Sequence, residues 1–438
     1  ITEVRSAART EKIFAIEKTM RNSAVLLSVL LLLASLTVTP SMSIAAQQNY
    51  ALVNGRWFDG HTFRKRTYYS VNGILDSKKP KRIDSIIDLK NRHIVPPFGE
   101  AHNHNVDGAN VEIIGRYLED GIFYVKVPNI LPRARASVEA TINTPDSIDA
   151  AFANGGLTAS EGHPIGLARR NIARGTWTEA DADGAFYFTI NNKADLDRKR
   201  GLILAGKPDF IKTYLLYSEE YDKRKDDARY QYWKGLDPEL LPEIVRIAHR
   251  NGLRVSTHIE SAGDFHNAVI AGVDEINHMP GFRGGPNLDI PDPKVYEISE
   301  DDARLAAQKA ITVVTTLGGI SSFKGPLREK GDRLHSSNLR LLKKHRVKIA
   351  FGSDEYRKTA APEARYIQEL GVYSNLELLK IWCEATPATI FPRRKIGYLK
   401  DGYEASFLVL AGNPLEDFRN TSRIEMRVKQ GKILSLKH

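Results

Sequence analysis

Five segments of this chain carry residues able to hold a metal ion. They are His102-Asn103-His104 after Ile94-Val-Pro-Pro-Phe98, Lys212 within Asp209-Phe-Ile-Lys-Thr-Tyr214, and His258 after Leu253-Arg-Val-Ser-Thr257. His278 follows Val273-Asp-Glu-Ile-Asn277, and Asp354 follows Ile349-Ala-Phe-Gly-Ser353. Imidazole and carboxylate ligands suit zinc best, and manganese, iron or cobalt also fit. A divalent ion lowers the pKa of bound water toward about 7 and polarises a carbonyl. A carboxylate such as Asp354 can take the proton of that water and pass it to a leaving nitrogen or oxygen. The chemistry indicated is metal-assisted hydrolysis.

Each segment also has a plainer reading. A chance surface pair explains one H-x-H as well as a ligand pair does. The turn sequence Asn105-Val-Asp-Gly108 favours a pair at a strand end. Lys212 sits in an apolar run where a bare ammonium is costly, so it either pairs with a carboxylate such as Glu219 or reacts with carbon dioxide. The carbamate so formed would bridge two metals. A lone histidine at a strand end is usually a satisfied core group, but His258 and His278 end consecutive runs. Asp354 could equally cap a helix. Cys383, the single cysteine, lies in an apolar helical run and reads as a buried structural thiol.

The elements that must position these residues alternate in type. Strands are expected over 94–99, 122–127, 154–159, 209–215, 253–258, 273–277, 311–316 and 347–352. Helices are expected over 238–251, 263–271, 301–309 and 336–345. That alternation is the pattern of a (β/α)8 TIM barrel, whose active site lies at the C-terminal ends of its strands. The stretches 160–208 and 279–300, rich in Gly, Pro and Asp, read as rim loops. Tyr50–Gly60 reads as a strand, an Asn-Gly turn and a second strand, with further strands over 68–74 and 83–88. The C-terminus offers strands over 406–410, 424–429 and 433–436. The fold class is therefore α/β, with a barrel over 94–395 and a small β-sandwich formed by both chain ends, 47–93 and 396–438.

The chain has 438 residues, 42% hydrophobic and 26% charged, enough for a large core. Its formal net charge of +10 is scattered among acidic residues, which speaks against a nucleic-acid partner. Met20-Arg-Asn-Ser precedes an apolar stretch from Ala24 to Val38 and a small-residue region, Ser41–Ala46. This is the form of a secretory signal peptide, and its apolar run of about 15 residues is short for a bilayer span of roughly 20. Residues 1–19 read as lying upstream of the true start. The mature protein is expected to be periplasmic or secreted, without stable membrane insertion and compatible with a homo-oligomer.

Taken together, the H-x-H, Asp209-Phe-Ile-Lys212, the His258 and His278 pair and Phe351-Gly-Ser-Asp354 resemble the metal-dependent amidohydrolase superfamily. The C-terminal runs Glu384-Ala-Thr-Pro-Ala-Thr389, Ile396–Gly402 and Leu408–Glu416 are similar to the family's return into its sandwich. Imidazolonepropionase-like and Xaa-Pro dipeptidase-like members are the nearest in pattern. The resemblance implies that His102, His104 and Asp354 hold one metal, that His258 and His278 hold another, and that carbamylated Lys212 bridges them. It implies a substrate role for His163, in Glu161-Gly-His163-Pro164, and more weakly for Tyr214 and Tyr217. It further implies a small-molecule or dipeptide-like substrate cleaved at a carbon-nitrogen bond. Two departures stand out. The run Pro96-Pro97-Phe98-Gly99-Glu100-Ala101 replaces the usual approach to the H-x-H, and Glu260 stands where many relatives carry a small residue. Glu260 is expected to face solvent. A mononuclear deaminase and a catalytically inactive binding barrel are the alternatives.

Overall fold

The computed structural model describes residues 48–108, 111–283 and 293–435. The expected signal segment, the residues before it and part of the 279–300 stretch lie outside them.

The N-terminal residues build β1 (Tyr50–Phe58), β2 (Phe63–Val71), β3 (Ile74–Asp76), β4 (Ser85–Asp88) and β5 (His93–Val95). Asn54-Gly55 is not the expected turn, because β1 runs through it with an irregularity in register between Leu52 and Gly55. There β1 changes partner: Val53 pairs Asp88 of β4, and Arg56 pairs His93 of β5. Asn54 takes the left-handed backbone (φ 57°) that lets the strand shift. The chain reverses instead over residues 59–62.

The middle of the chain forms β6 (Phe98–Glu100), β7 (Ile122–Val127), β8 (Asp149–Phe152), β9 (Gly156–Thr158) and β10 (Tyr187–Thr189). It continues with β11 (Ile211–Tyr214), β12 (Val255–His258), β13 (Glu275–Asn277), β14 (Thr312–Val314) and β15 (Lys348–Ala350). Seven of these strands form one parallel sheet in the order β10-β9-β11-β12-β13-β14-β15, and the other three form a second, β6-β7-β8. Backbone bonds join their margins: Ala101 N donates to Phe351 O (2.8 Å), and Ile130 N to Asn154 O (3.1 Å). Every residue of β7, β11, β12 and β13 is buried, as expected of parallel strands covered on both faces.

The helices Leu241–Arg250, Ala262–Ala271 and Glu300–Gln308 follow the expected pattern, but Pro326–Lys344 begins ten residues early. The 160–208 stretch is not a plain loop. It holds helices Ile165–Ala173 and Lys193–Ala205 as well as β10. The strand expected over 154–159 is β9, shorter at both ends, and β8 is a further strand that was not expected, separated from β9 where Asn154 takes φ 62°.

The C-terminal strands are β16 (Phe407–Leu410), β17 (Ile424–Lys429) and β18 (Lys432–Ile433). Val409 of β16 pairs Ile94 of β5, so both chain ends join one eight-stranded sheet. Cys383 is buried, as expected. Its neighbour Trp382 stacks on Phe98 with centroids 4.0 Å apart and donates to Gly99 O (3.1 Å), fixing the strand that leads to the H-x-H.

Candidate metal centre

Parallel register brings the candidate residues together. Lys212 pairs Ser256 and Tyr214 pairs His258; Ser256 pairs Glu275 and His258 pairs Asn277. Alternate residues of a strand share a face, so Lys212, Ser256 and Glu275 form one row and Tyr214, His258 and Asn277 the next. His278 follows directly in the turn after β13, with a left-handed backbone (φ 79°). Asp354 also has positive φ (49°), as does Thr316 (51°), whose hydroxyl meets His278 Nδ1 at 2.7 Å. Such backbone geometry costs about 1–3 kcal/mol per non-glycine residue and gathers at functional sites.

His102 and His104 approach Asp354 from the end of β6, their Nε2 atoms 3.6 and 3.4 Å from Asp354 Oδ1. Gly352 permits this approach, since a Cβ there would lie 2.8 Å from His102 Cβ and 2.9 Å from its backbone nitrogen. Asp354 caps no helix among the described residues. The imidazoles then run on in contact: His102 to His278 at 4.6 Å and His278 to His258 at 4.5 Å, both T-shaped, and His163 stacked on His258 at 4.9 Å. Tyr214 lies 5.2 Å from His163 and 5.6 Å from His258. Tyr217 is not in this chain of rings; its hydroxyl meets that of Tyr296 (3.2 Å).

Lys212 does not pair with Glu219. Its Nζ donates to Asn277 Oδ1 (2.5 Å), while Glu219 accepts from Ser261 (2.8 Å). Asn277 is oriented by its amide nitrogen, which donates to Glu275 (3.0 Å). Glu275 is the buried anchor of this layer and accepts from Lys126 Nζ at 2.7 Å.

Glu260 does not face solvent. It is 2% exposed, lies 3.2 Å from His258 Nε2, and accepts from Arg283 Nε (2.9 Å). Nothing in Ile259-Glu260 itself announces that Arg283 returns to it. Asn277, Thr316 and Phe282, which stacks on His278 at 4.0 Å, were also not singled out from sequence. Asn277 could have been, as it precedes a candidate ligand and alternates with Glu275.

Burial, with the Lys212 charge nearby, lowers His102 to about 4. Burial holds His163, His258 and His278 well below the ordinary imidazole value. Burial also brings Lys212 down to about 7. Burial would raise Asp354, but the hydrogen bond from His102 and the charges of His102, His104 and Arg283 outweigh it and hold the carboxylate ionised. Neutral imidazoles beside an ionised carboxylate are the protonation states a metal requires.

The donor set fits a divalent ion. Ligand atoms of His102, His104 and Asp354 lie within 4.8 Å of one another. Among the described residues, His102 Nδ1 and His278 Nε2 are buried with no hydrogen-bond partner. A buried imidazole nitrogen without a partner is costly unless a cation or water completes it.

No family model matches the chain. Over 195 residues it is 28% identical to the ochratoxinase of Aspergillus niger, a match covering 42% of this chain and 37% of that protein. The match thus spans little more than a third of that relative's length. The fold superposes on a solved amidohydrolase with a TM-score of 0.67 at 20% identity, covering 89% of this chain and 100% of the other. It superposes on the crystal structure of A. niger ochratoxinase with a TM-score of 0.66 at 17% identity, covering 88% and 95%. A prolidase solved with N-methylphosphonate-L-proline gives a TM-score of 0.67 at 17% identity, covering 89% and 100%. The chain therefore has the fold of the amidohydrolases, the family that its ligand motifs resemble.

Proposed function

We propose that this protein is a metal-dependent amidohydrolase that cleaves an amide, peptide or cyclic amide carbon-nitrogen bond. The observation that carries the reading is the unbroken run of His104, His102, His278, His258 and His163, with Asp354, at or beyond the C-terminal ends of parallel strands, and Lys212 within one of them. In this reading the two parallel sheets belong to one (β/α)8 barrel over 94–395, and the sheet shared by the chain ends is its companion β-sandwich. Ochratoxinase and prolidase as neighbours in fold support a small amide or dipeptide-like substrate.

His102, His104 and Asp354 would hold one zinc ion. His258 and His278 would hold a second, with Lys212 as the bridging carbamate. Bound zinc would polarise the scissile carbonyl and acidify a water. Asp354, ionised and partly open to solvent, accepts the proton from the attacking water and delivers it to the leaving nitrogen. His163, stacked on His258 beside Tyr214, stands where it can meet the carbonyl oxygen. We also read the 20–46 segment as directing export to the periplasm or medium; no helix among the described residues is long and apolar enough to cross a membrane.

One observation favours a mononuclear variant. Among the described residues, the single group of three ligating side chains that converge within 4.8 Å is His102, His104 and Asp354. Metal analysis decides: about two zinc ions per chain supports the binuclear site, and one supports the variant. The hydrolase reading is tested with the zinc-loaded protein and its Asp354→Asn variant on a panel of N-acyl amino acids, dipeptides and lactams. The variant should lose about 10²–10⁴-fold in kcat. Equal turnover by both forms would sink the mechanism.

A further inference from the structure

The Glu260–Arg283 pair lies at the edge of the histidine cluster, and beyond the Arg283 charge that helps hold Asp354 ionised it has no part in the chemistry above. Its two members differ in exposure: the Glu260 side chain is 3% exposed and that of Arg283 is 38%. The carboxylate lies against His258 (3.2 Å to Nε2), and the guanidinium is the more exposed partner. Arg283 uses Nε on Glu260 Oε1, and among the described residues its two terminal nitrogens have no hydrogen-bond partner. Those nitrogens form the planar fork that matches a carboxylate.

The backbone around the pair is tied down. Gly281 N donates to Glu260 O (3.3 Å), and His335 Nε2 lies 3.2 Å from Gly281 O. Phe282 is stacked on His278, and Glu260 N donates to Asp264 Oδ2 (2.9 Å). The turn after His278 is therefore locked to the turn after His258, and Arg283 is presented from a fixed base. A fixed cation costs less to engage than a mobile surface arginine, because its ordering is already complete.

We propose that Arg283 is a specificity residue that receives a carboxylate of the substrate, with Glu260 as the positioning residue that aims it. The substrate class is then an amide bearing a carboxylate close to the scissile bond, such as an N-acyl amino acid, in preference to its neutral carboxamide. This rests on the hydrolase reading for what is cleaved, but the subsite can be tested by binding alone.

The zinc-loaded protein is titrated calorimetrically with N-acetyl-L-leucine and, separately, with N-acetyl-L-leucinamide. The wild type should bind the acid more tightly by about 30- to 100-fold. Arg283→Lys should keep part of that preference, since the charge stays while the fork is lost. The double variant Arg283→Met/Glu260→Gln removes both charges without stranding either, and it should bind the two compounds equally. A wild type without preference overturns the proposal, as does a double variant that retains it, which would show the zinc holding the carboxylate. If the preference appears and vanishes as expected but no amide is hydrolysed, the hydrolase reading fails and the subsite stands.

Discussion

Replacing Glu275 with leucine tests the buried layer beneath the site. Glu275 is 1% exposed and accepts four hydrogen bonds: Lys126 (2.7 Å), Ser256 (2.8 Å), Asn277 (3.0 Å) and Thr389 (2.6 Å). Burial would raise its carboxyl, but Lys126, Arg254 and these donors outweigh that and hold it at about 2. Burial and the Arg254 charge outweigh Glu275 and the more distant Asp274 at Lys126, so its ammonium is shifted down from the usual lysine value, and Glu275 is its direct ion-pair partner. Glu275→Leu leaves that cation buried and unpaired, which should cost about 3–5 kcal/mol in urea unfolding. Adding Lys126→Met removes the stranded charge and should recover all but about 1–2 kcal/mol. Because the folded pKa of Glu275 lies below its ordinary 4.5, its stabilisation is complete above that value and fades as the pH falls toward 2. The gap between wild type and double variant should shrink over that window. The double variant should still bind zinc about 10-fold more weakly, because the Asn277 amide that holds Lys212 has lost its anchor. A loss under about 1 kcal/mol in Glu275→Leu, or a double variant no more stable than the single, would refute the buried-pair argument.

Three further outcomes are expected. Thr316→Val removes the hydroxyl that orients His278 through Nδ1 (2.7 Å), and zinc affinity, measured against a competing chelator, should fall about 10- to 100-fold while the fold is kept. Lys212→Ala should reduce bound zinc from about two ions per chain to about one, read by mass spectrometry of the metals; an unchanged count would remove Lys212 from the site. His335, which burial lowers from 6.5 to about 4, stays neutral in the fold while the unfolded chain takes up a proton. Its contribution is therefore complete above pH 6.5 and about 3 kcal/mol is lost as the pH falls to 4. His335→Gln should flatten the urea midpoint over that range relative to wild type, and parallel curves would refute the assignment.

The strand ends that carry the candidate ligands were legible because each is a short apolar run broken by residues too polar for a core, as with Ile276-Asn277-His278. What stayed hidden depends on partners distant in sequence. Asp149-Ala-Ala-Phe152 does not read as a strand because it opens on an acid, yet Arg394 (2.8 Å) and Lys429 (2.7 Å) reach that carboxylate from the far end of the chain. Lys193–Ala205 was hidden in an expected loop because six of its 13 residues are charged and it buries only Leu196 and Ile203. Lys212 shows the same limit at the site itself. The cost of a buried ammonium was readable and demanded an acceptor, for which Glu219, seven residues on, was one acid within reach along the chain. The fold supplies Asn277 instead, two strands away across the sheet. Parallel pairing carries Lys212 to Ser256 and Ser256 to Glu275, and the alternation of β13 then sets Asn277 on the same face. Glu260 and Arg283 meet by the same route, since His258 and Asn277 pair across adjacent strands and the turns beyond them face each other. The acceptors that shape this site follow from strand register, which sets Asn277 beside Lys212 and turns Glu260 toward Arg283.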